Sequence, residues 1–237
     1  MISASGLMRN CGYPRRLARE SAPSEAMEYG AGIGREFHGA IEAWAVGRDP
    51  LAGVSHEARG LLELLMSTGW RPTPRMVFEA AVGLDRDGRF AAVTEPAPHV
   101  YEGRNLLTAG RADWIEVDIR DTHGEIAVIG DWKTSKSPPN PRTSLQLTAL
   151  GLAACQWLDC DGFRRVIYRA REGIFEMDEE PIARDSLDWQ AAFSDVKAAA
   201  ELDEEPRPGG WCGTCWEQKK RRCSKGRSWV EAEKKGY

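Results

Sequence analysis

The sequence has no apolar run long enough to cross a bilayer, no internal repeat and no excess of basic residues. The first absence argues against a membrane-spanning helix, which needs about 20 mostly apolar residues, so no membrane partner is expected. The second argues against a stacked-repeat architecture. The third sets 32 Lys and Arg against 36 Asp and Glu, a net charge of −4, without the overall basic footprint common in nucleic-acid-binding domains. A basic stretch preceding an apolar core is missing from the opening MISASGLMRNCGYPRR, which therefore does not read as a secretory signal. A cytoplasmic location is expected. In that reducing setting the six cysteines point to metal binding or burial, not disulfides.

What is present reads as an ordinary globular chain of 237 residues, 42% hydrophobic and 29% charged, long enough to bury a real core. Its charge is unevenly placed. Lys219, Lys220, Arg221, Arg222, Lys225 and Arg227 form a basic run near the C-terminus, and Arg9, Arg15, Arg16 and Arg19 another near the start. The acids concentrate in 177–205. A pocket that holds divalent cations needs carboxylates of its own, so the total charge excludes little.

Ser3 or Ser5 is expected to cap a first helix running toward Glu20. Ile33, Phe37, Ile41 and Trp44 recur at helical spacing and predict a long amphipathic helix over 25–44, with another over 56–66. The character then changes. Segments 76–84, 90–93, 107–117 and 126–133 are short, partly alternating and separated by Gly and Asp turns, so they read as largely antiparallel strands. A Pro-rich loop at 135–141 leads into a helix over 143–158, two further strands at 164–169 and 173–177, and a helix over 186–202. Residues 204–210 are a linker. This order predicts one α/β domain with a cysteine-bearing tail.

Strand side chains alternate, so Asp131 and Lys133 share a face. A hairpin with the preceding strand would bring Asp113 level with them. Two carboxylates and a lysine suit Mg²⁺ or Mn²⁺ and phosphodiester hydrolysis, where a cation neutralises the phosphate and the lysine serves the water or the developing charge. Taken alone, Asp-x-Lys reads far more readily as a solvated surface hairpin, because such tripeptides are common. His38 on the long helix reads alone as a packing residue, Gln146 as a helix-surface residue, and Glu79 as a half-exposed strand residue.

In the tail, Cys212 and Cys215 have the spacing of two ligands to one metal; Cys223 follows, and Cys11 is the candidate fourth. This pattern leaves zinc and an iron–sulfur cluster both open. Cys155 and Cys160 read as core or near-surface thiols.

Taken in order, Gly34 to His38, Gly110 to Asp113, Asp131 with Lys133, and Gln146 resemble the RecB-like branch of the PD-(D/E)xK nucleases. The Ser-x-Ser opening and the placing of Cys11 before, and Cys212, Cys215 and Cys223 after, these motifs resemble members with a four-cysteine cluster. Among those are the CRISPR-associated RecB-like exonucleases and AddB-type nuclease domains. Two departures stand out: Leu150 replaces the tyrosine of the last motif, and Cys223 arrives later than in those relatives.

The resemblance implies a restriction-endonuclease-like core, a mixed central sheet flanked by helices. It implies one domain over 1–237, with the first cluster cysteine in 1–24, the nuclease core in 25–203 and a basic, cysteine-rich tail in 204–237. His38, Asp113 and Asp131 would hold Mg²⁺ or Mn²⁺, Lys133 would assist catalysis, Gln146 would complete the catalytic set, and Glu79 matches an additional acid of some relatives. Cys11, Cys212, Cys215 and Cys223 would bind a [4Fe–4S] cluster, with zinc the alternative. Lying between two of these ligands, Lys219, Lys220, Arg221 and Arg222 are candidates for phosphate contacts, with a solvated charge run the equal alternative. The expected activity is a metal-dependent DNA exonuclease on single-stranded or frayed ends, with room for partners in a DNA-processing complex. Two rivals are a non-catalytic DNA-binding or DNA-processing subunit retaining the nuclease fold, and a zinc-tailed binding module.

Overall fold

The computed structural model describes residues 2–3, 25–97, 100–119, 121–135 and 140–202. Among them the elements run β1 (Ile2–Ser3), α1 (Glu25–Ala45), α2 (His56–Ser67), β2 (Val77–Asp85), β3 (Phe90–Ala91), β4 (Thr94–Ala97), β5 (Val100–Glu102), β6 (Leu106–Asp118) and β7 (Ile126–Lys133). A short 3₁₀ turn (Pro141–Thr143) precedes α3 (Leu145–Trp157), then β8 (Gly162–Arg169), β9 (Ile174–Met177), β10 (Ile182–Ala183) and α4 (Leu187–Glu201). The class is α/β: a mixed central sheet in the order β10-β8-β7-β6-β2-β3, flanked by helices.

Local chemistry accounts for the helices. Ser55, Ser144 and Ser186 each accept a backbone N–H from the first turn of α2, α3 and α4, satisfying donors that a helix start leaves unpaired. α1 buries Ile33, Phe37 and Ile41, one every fourth residue. α3 is different. Ten of its residues are buried, because it lies over the sheet and under α4. It forms the crossover between β7 and β8, whose eight-residue pairing is parallel.

The helices form two layers. α3 and α4 pack with Ile129, Phe163 and Ile167 on one face of the sheet. α1 and α2 pack with Trp114, Trp132 and Tyr168 on the other. In β7 the alternation is regular, with Ala127 and Ile129 on the α3 side, and Val128 and Trp132 on the α1 side. In β2 and β6 it is not. Phe78 packs on the α1 side and Ala80 on the α3 side; Trp114 and Ala112, their cross-strand partners, divide the same way. Residues two apart should share a face. The alternation therefore switches sides at Glu79 and Asp113, which stand opposite each other, and Glu79 takes a left-handed φ of +52° to do it.

Two sequence expectations change. Ile2 and Ser3 form a strand that pairs in parallel with Thr108 and Ala109 of β6, a pairing the sequence reading did not expect. β7 pairs with β6 over Trp114–Asp118, and β1 takes up part of the β6 edge beyond that stretch. Ser5 and the rest of that expected helix lie outside the described residues. The sequence reading also missed the β4–β5 hairpin, which supplies buried Tyr101, and the two-residue β10. Among the described residues, no helix is long and apolar enough to cross a membrane.

Candidate metal centre

Asp113 lies across from Asp131 on β7, since Trp114 pairs with Gly130 and Ile115 with Ile129. That close crossing needs a glycine. A Cβ built on Gly130 would come within 1.7 Å of Cε2 of the Trp114 indole, so the indole occupies the place of the side chain. Asp131 follows the phase of Ala127 and Ile129, which puts it and Lys133 on the α3 side. Lys133 Nζ donates to Asp131 Oδ1 at 2.8 Å. It also stands 2.7 Å from Oδ2, but out of hydrogen-bonding alignment, leaving that buried oxygen with a charge contact and no hydrogen bond. Such an oxygen has a lone pair to spare for a cation.

His38 reaches the same place from α1. Its Nδ1 lies 3.7 Å from Asp113 Oδ1 and 3.8 Å from Glu79 Oε1, and its Nε2 lies 3.3 Å from the Trp132 carbonyl oxygen. One ligand atom from each of His38, Glu79 and Asp113 falls within 4.8 Å of the others, close enough to share one ion. Arg111 stands behind Glu79, with NH1 3.1 Å from Oε2. All six side chains line one cavity of about 480 Å³, together with Gln146, Arg35, Glu42 and Tyr101.

The electrostatics are those of crowded acids. Burial first, and the charge of Asp131 second, push the Asp113 carboxyl up to about 7; His38, the Trp132 N–H and Lys133 oppose them. Burial lowers the His38 imidazole, but the nearby Glu79 carboxylate and the charges of Asp113 and Asp131 outweigh it and leave His38 raised. Glu42 is also raised, by burial and then by the Glu79 charge. Without a cation, then, the site favours protonated forms.

The donor set fits a divalent cation with some preference for oxygen: two or three carboxylates and one imidazole suit Mn²⁺ well and Mg²⁺ through the carboxylates. The structure thus brings His38, Asp113, Asp131, Lys133, Glu79 and Gln146 to one cavity. Leu150 is buried in the core instead of facing it. The sequence reading missed Arg111, Glu42 and Arg35. Glu42 carried a legible signal, since it follows His38 by four residues on one helix face. Cys11, Cys212, Cys215, Cys223 and the basic residues Lys219, Lys220, Arg221 and Arg222 lie outside the described residues. Cys155 and Cys160 are core thiols, and Cys155 Sγ donates to the Cys160 carbonyl at 3.2 Å.

No protein-family model and no curated protein matches the chain. Among solved structures, one described as the crystal structure of SSO0001 is similar at 19% identity and a TM-score of 0.37, over 94% of this chain and 85% of that one. A likeness of that degree carries no argument about family or activity.

Proposed function

We propose that this protein is a Mg²⁺- or Mn²⁺-dependent DNA nuclease of the RecB-like PD-(D/E)xK class, acting on single-stranded or frayed ends. The observation that carries the proposal is the convergence of His38, Glu79 and Asp113 beside the buried Asp131–Lys133 pair. A cavity lined by Glu42, Glu79, Asp113 and Asp131 repels a phosphodiester while its carboxylates are bare. A bound divalent ion would neutralise the scissile phosphate and lower the pKa of a water.

The protein's own groups set up the rest. His38 and Asp113 are fixed to the β7 backbone by the Trp132 carbonyl and N–H, so their donor atoms are held before a substrate arrives. Lys133, on the same face as Asp131, carries the ammonium that orients a water or balances charge developing on the phosphoryl oxygens. Gln146, in the first turn of α3, lines the same cavity and would contact the strand being cut.

We further propose the four-cysteine cluster as a structural clamp formed by Cys11, Cys212, Cys215 and Cys223. Its metal analysis is independent of the nuclease assay: iron and acid-labile sulfide in anaerobic protein support it, and stoichiometric zinc replaces it. For the activity, the test is cleavage of end-labelled single- and double-stranded DNA with Mg²⁺, Mn²⁺ or EDTA. Cleavage that requires the metal is the expected result. Cleavage that persists in EDTA, or none with either metal, overturns the reading.

A further inference from the structure

Arg111 offers its guanidinium to the same carboxylate that the metal cluster needs. Glu79 Oε2 faces Arg111 NH1 at 3.1 Å, while Oε1 faces His38 Nδ1 at 3.8 Å. The Arg111 and Glu79 side chains are about a third and a quarter exposed, so their attraction is neither fully screened nor a deeply buried pair. The Glu79 backbone is left-handed where the strand alternation switches, a conformation that persists in a non-glycine residue only where its surroundings enforce it. The carboxylate lies between the Arg111 guanidinium on one side and the candidate metal position beside His38 and Asp113 on the other.

We propose that Arg111 is a positioning residue that holds Glu79 in the metal-free site and competes with the divalent cation for its charge. The inference rests on the metal site proposed above. Two cations sharing one carboxylate bind it less tightly together than either does alone, so the Arg111–Glu79 pair and the metal oppose each other. The guanidinium loosened by metal entry lines the cavity that would receive the phosphate. The cation would thus weaken the Arg111–Glu79 ion pair, lowering the hold of Glu79 on a guanidinium that lines the same cavity.

The test is Mn²⁺ affinity, read by electron paramagnetic resonance in the absence of DNA. Arg111→Ala is expected to bind Mn²⁺ at least about 5-fold more tightly than the wild-type chain. A residue needed only for structure would move affinity the other way. The same substitution made on Glu79→Gln should lose most of that gain, because the competition runs through the Glu79 charge. Unchanged or weaker Mn²⁺ binding by Arg111→Ala overturns the proposal. So does an undiminished gain in the Glu79→Gln background, which would mean that Arg111 only repels the ion at a distance. Should Arg111→Ala fail to fold, Arg111→Met keeps the apolar stem and serves the same comparison. A wild-type chain that binds no Mn²⁺ overturns the metal site itself, a result distinct from either outcome for Arg111.

Discussion

Asp113 Oδ2 accepts the backbone N–H of Trp132 at 2.6 Å, a bond that ties the carboxylate of one strand to the residue between Asp131 and Lys133 on the next. The relative positions of the two acids are thus set by main chain as well as by side-chain packing. Substitutions at the acidic centre should accordingly change chemistry more than shape.

Asp131→Asn and Lys133→Met are each expected to lower DNA cleavage by about 100-fold or more, the scale seen when a group stabilising the transition state is removed. Circular dichroism should show both variants folded. Lys133→Met should also lose stability, because it leaves the buried Asp131 carboxylate without its counter-charge. Wild-type cleavage rates in either folded variant would remove these residues from the chemistry.

His38→Ala should weaken Mn²⁺ binding by about 10-fold or more in calorimetry, since even residues that only orient a metal ligand have effects of that size. The deficit in cleavage should shrink as Mn²⁺ is raised. A cleavage deficit independent of Mn²⁺ concentration would make His38 something other than a ligand.

The pH dependence has a definite sign. Asp113 is raised to about 7 by burial and then by Asp131, and His38 is raised because its carboxylate neighbours outweigh burial. Both groups hold protons in the metal-free fold that they would release on unfolding. Their contribution to stability is full at low pH and is lost as pH rises, through about 7 for Asp113. Thermal melts of the metal-free protein from pH 5 to 8 should therefore fall more steeply for the wild-type chain than for Asp113→Asn. Equal slopes would refute the assignment. Because a ligand must lose its proton, Mn²⁺ affinity should rise over the same interval.

Gly130→Ala tests the close crossing beneath the site. The added methyl would meet the Trp114 indole, and an overpacked core commonly loses about 1 to 3 kcal/mol. A lowered Tm, with tryptophan fluorescence shifted by the displaced indole, is the expected result. An unchanged Tm would mean that the indole moves aside freely.

Much of the fold was legible because periodicity reports local contacts. Ile33, Phe37 and Ile41 marked the buried stripe of α1, and the spacing of Asp131 and Lys133 put them on one face. The pairing of Asp113 with Asp131 was legible as a hairpin, though only the register fixes it. Glu79 was harder. Its place depends on a positive φ, which no residue pattern near a glutamate announces, and on an opposite strand that breaks its alternation at the same level. Arg111 was invisible for the same reason, since Glu79 is one of its partners. Ile2 and Ser3 pair with a strand more than a hundred positions away, a contact to which helical capping preferences are blind.

The switch of sides at Glu79 and Asp113 makes the sheet resemble a crystal with a dislocation: two regions of pleat, each regular, meet half a period out of step. Atoms along such a line belong to neither interior. Healing the defect by restoring regular alternation through both strands would commit each carboxylate to one face, under α3 or under α1. A histidine on one layer and an Asp–Lys pair on the other could then no longer meet at a single point. The irregularity is what lets two helical layers on opposite faces of one sheet contribute to the same centre.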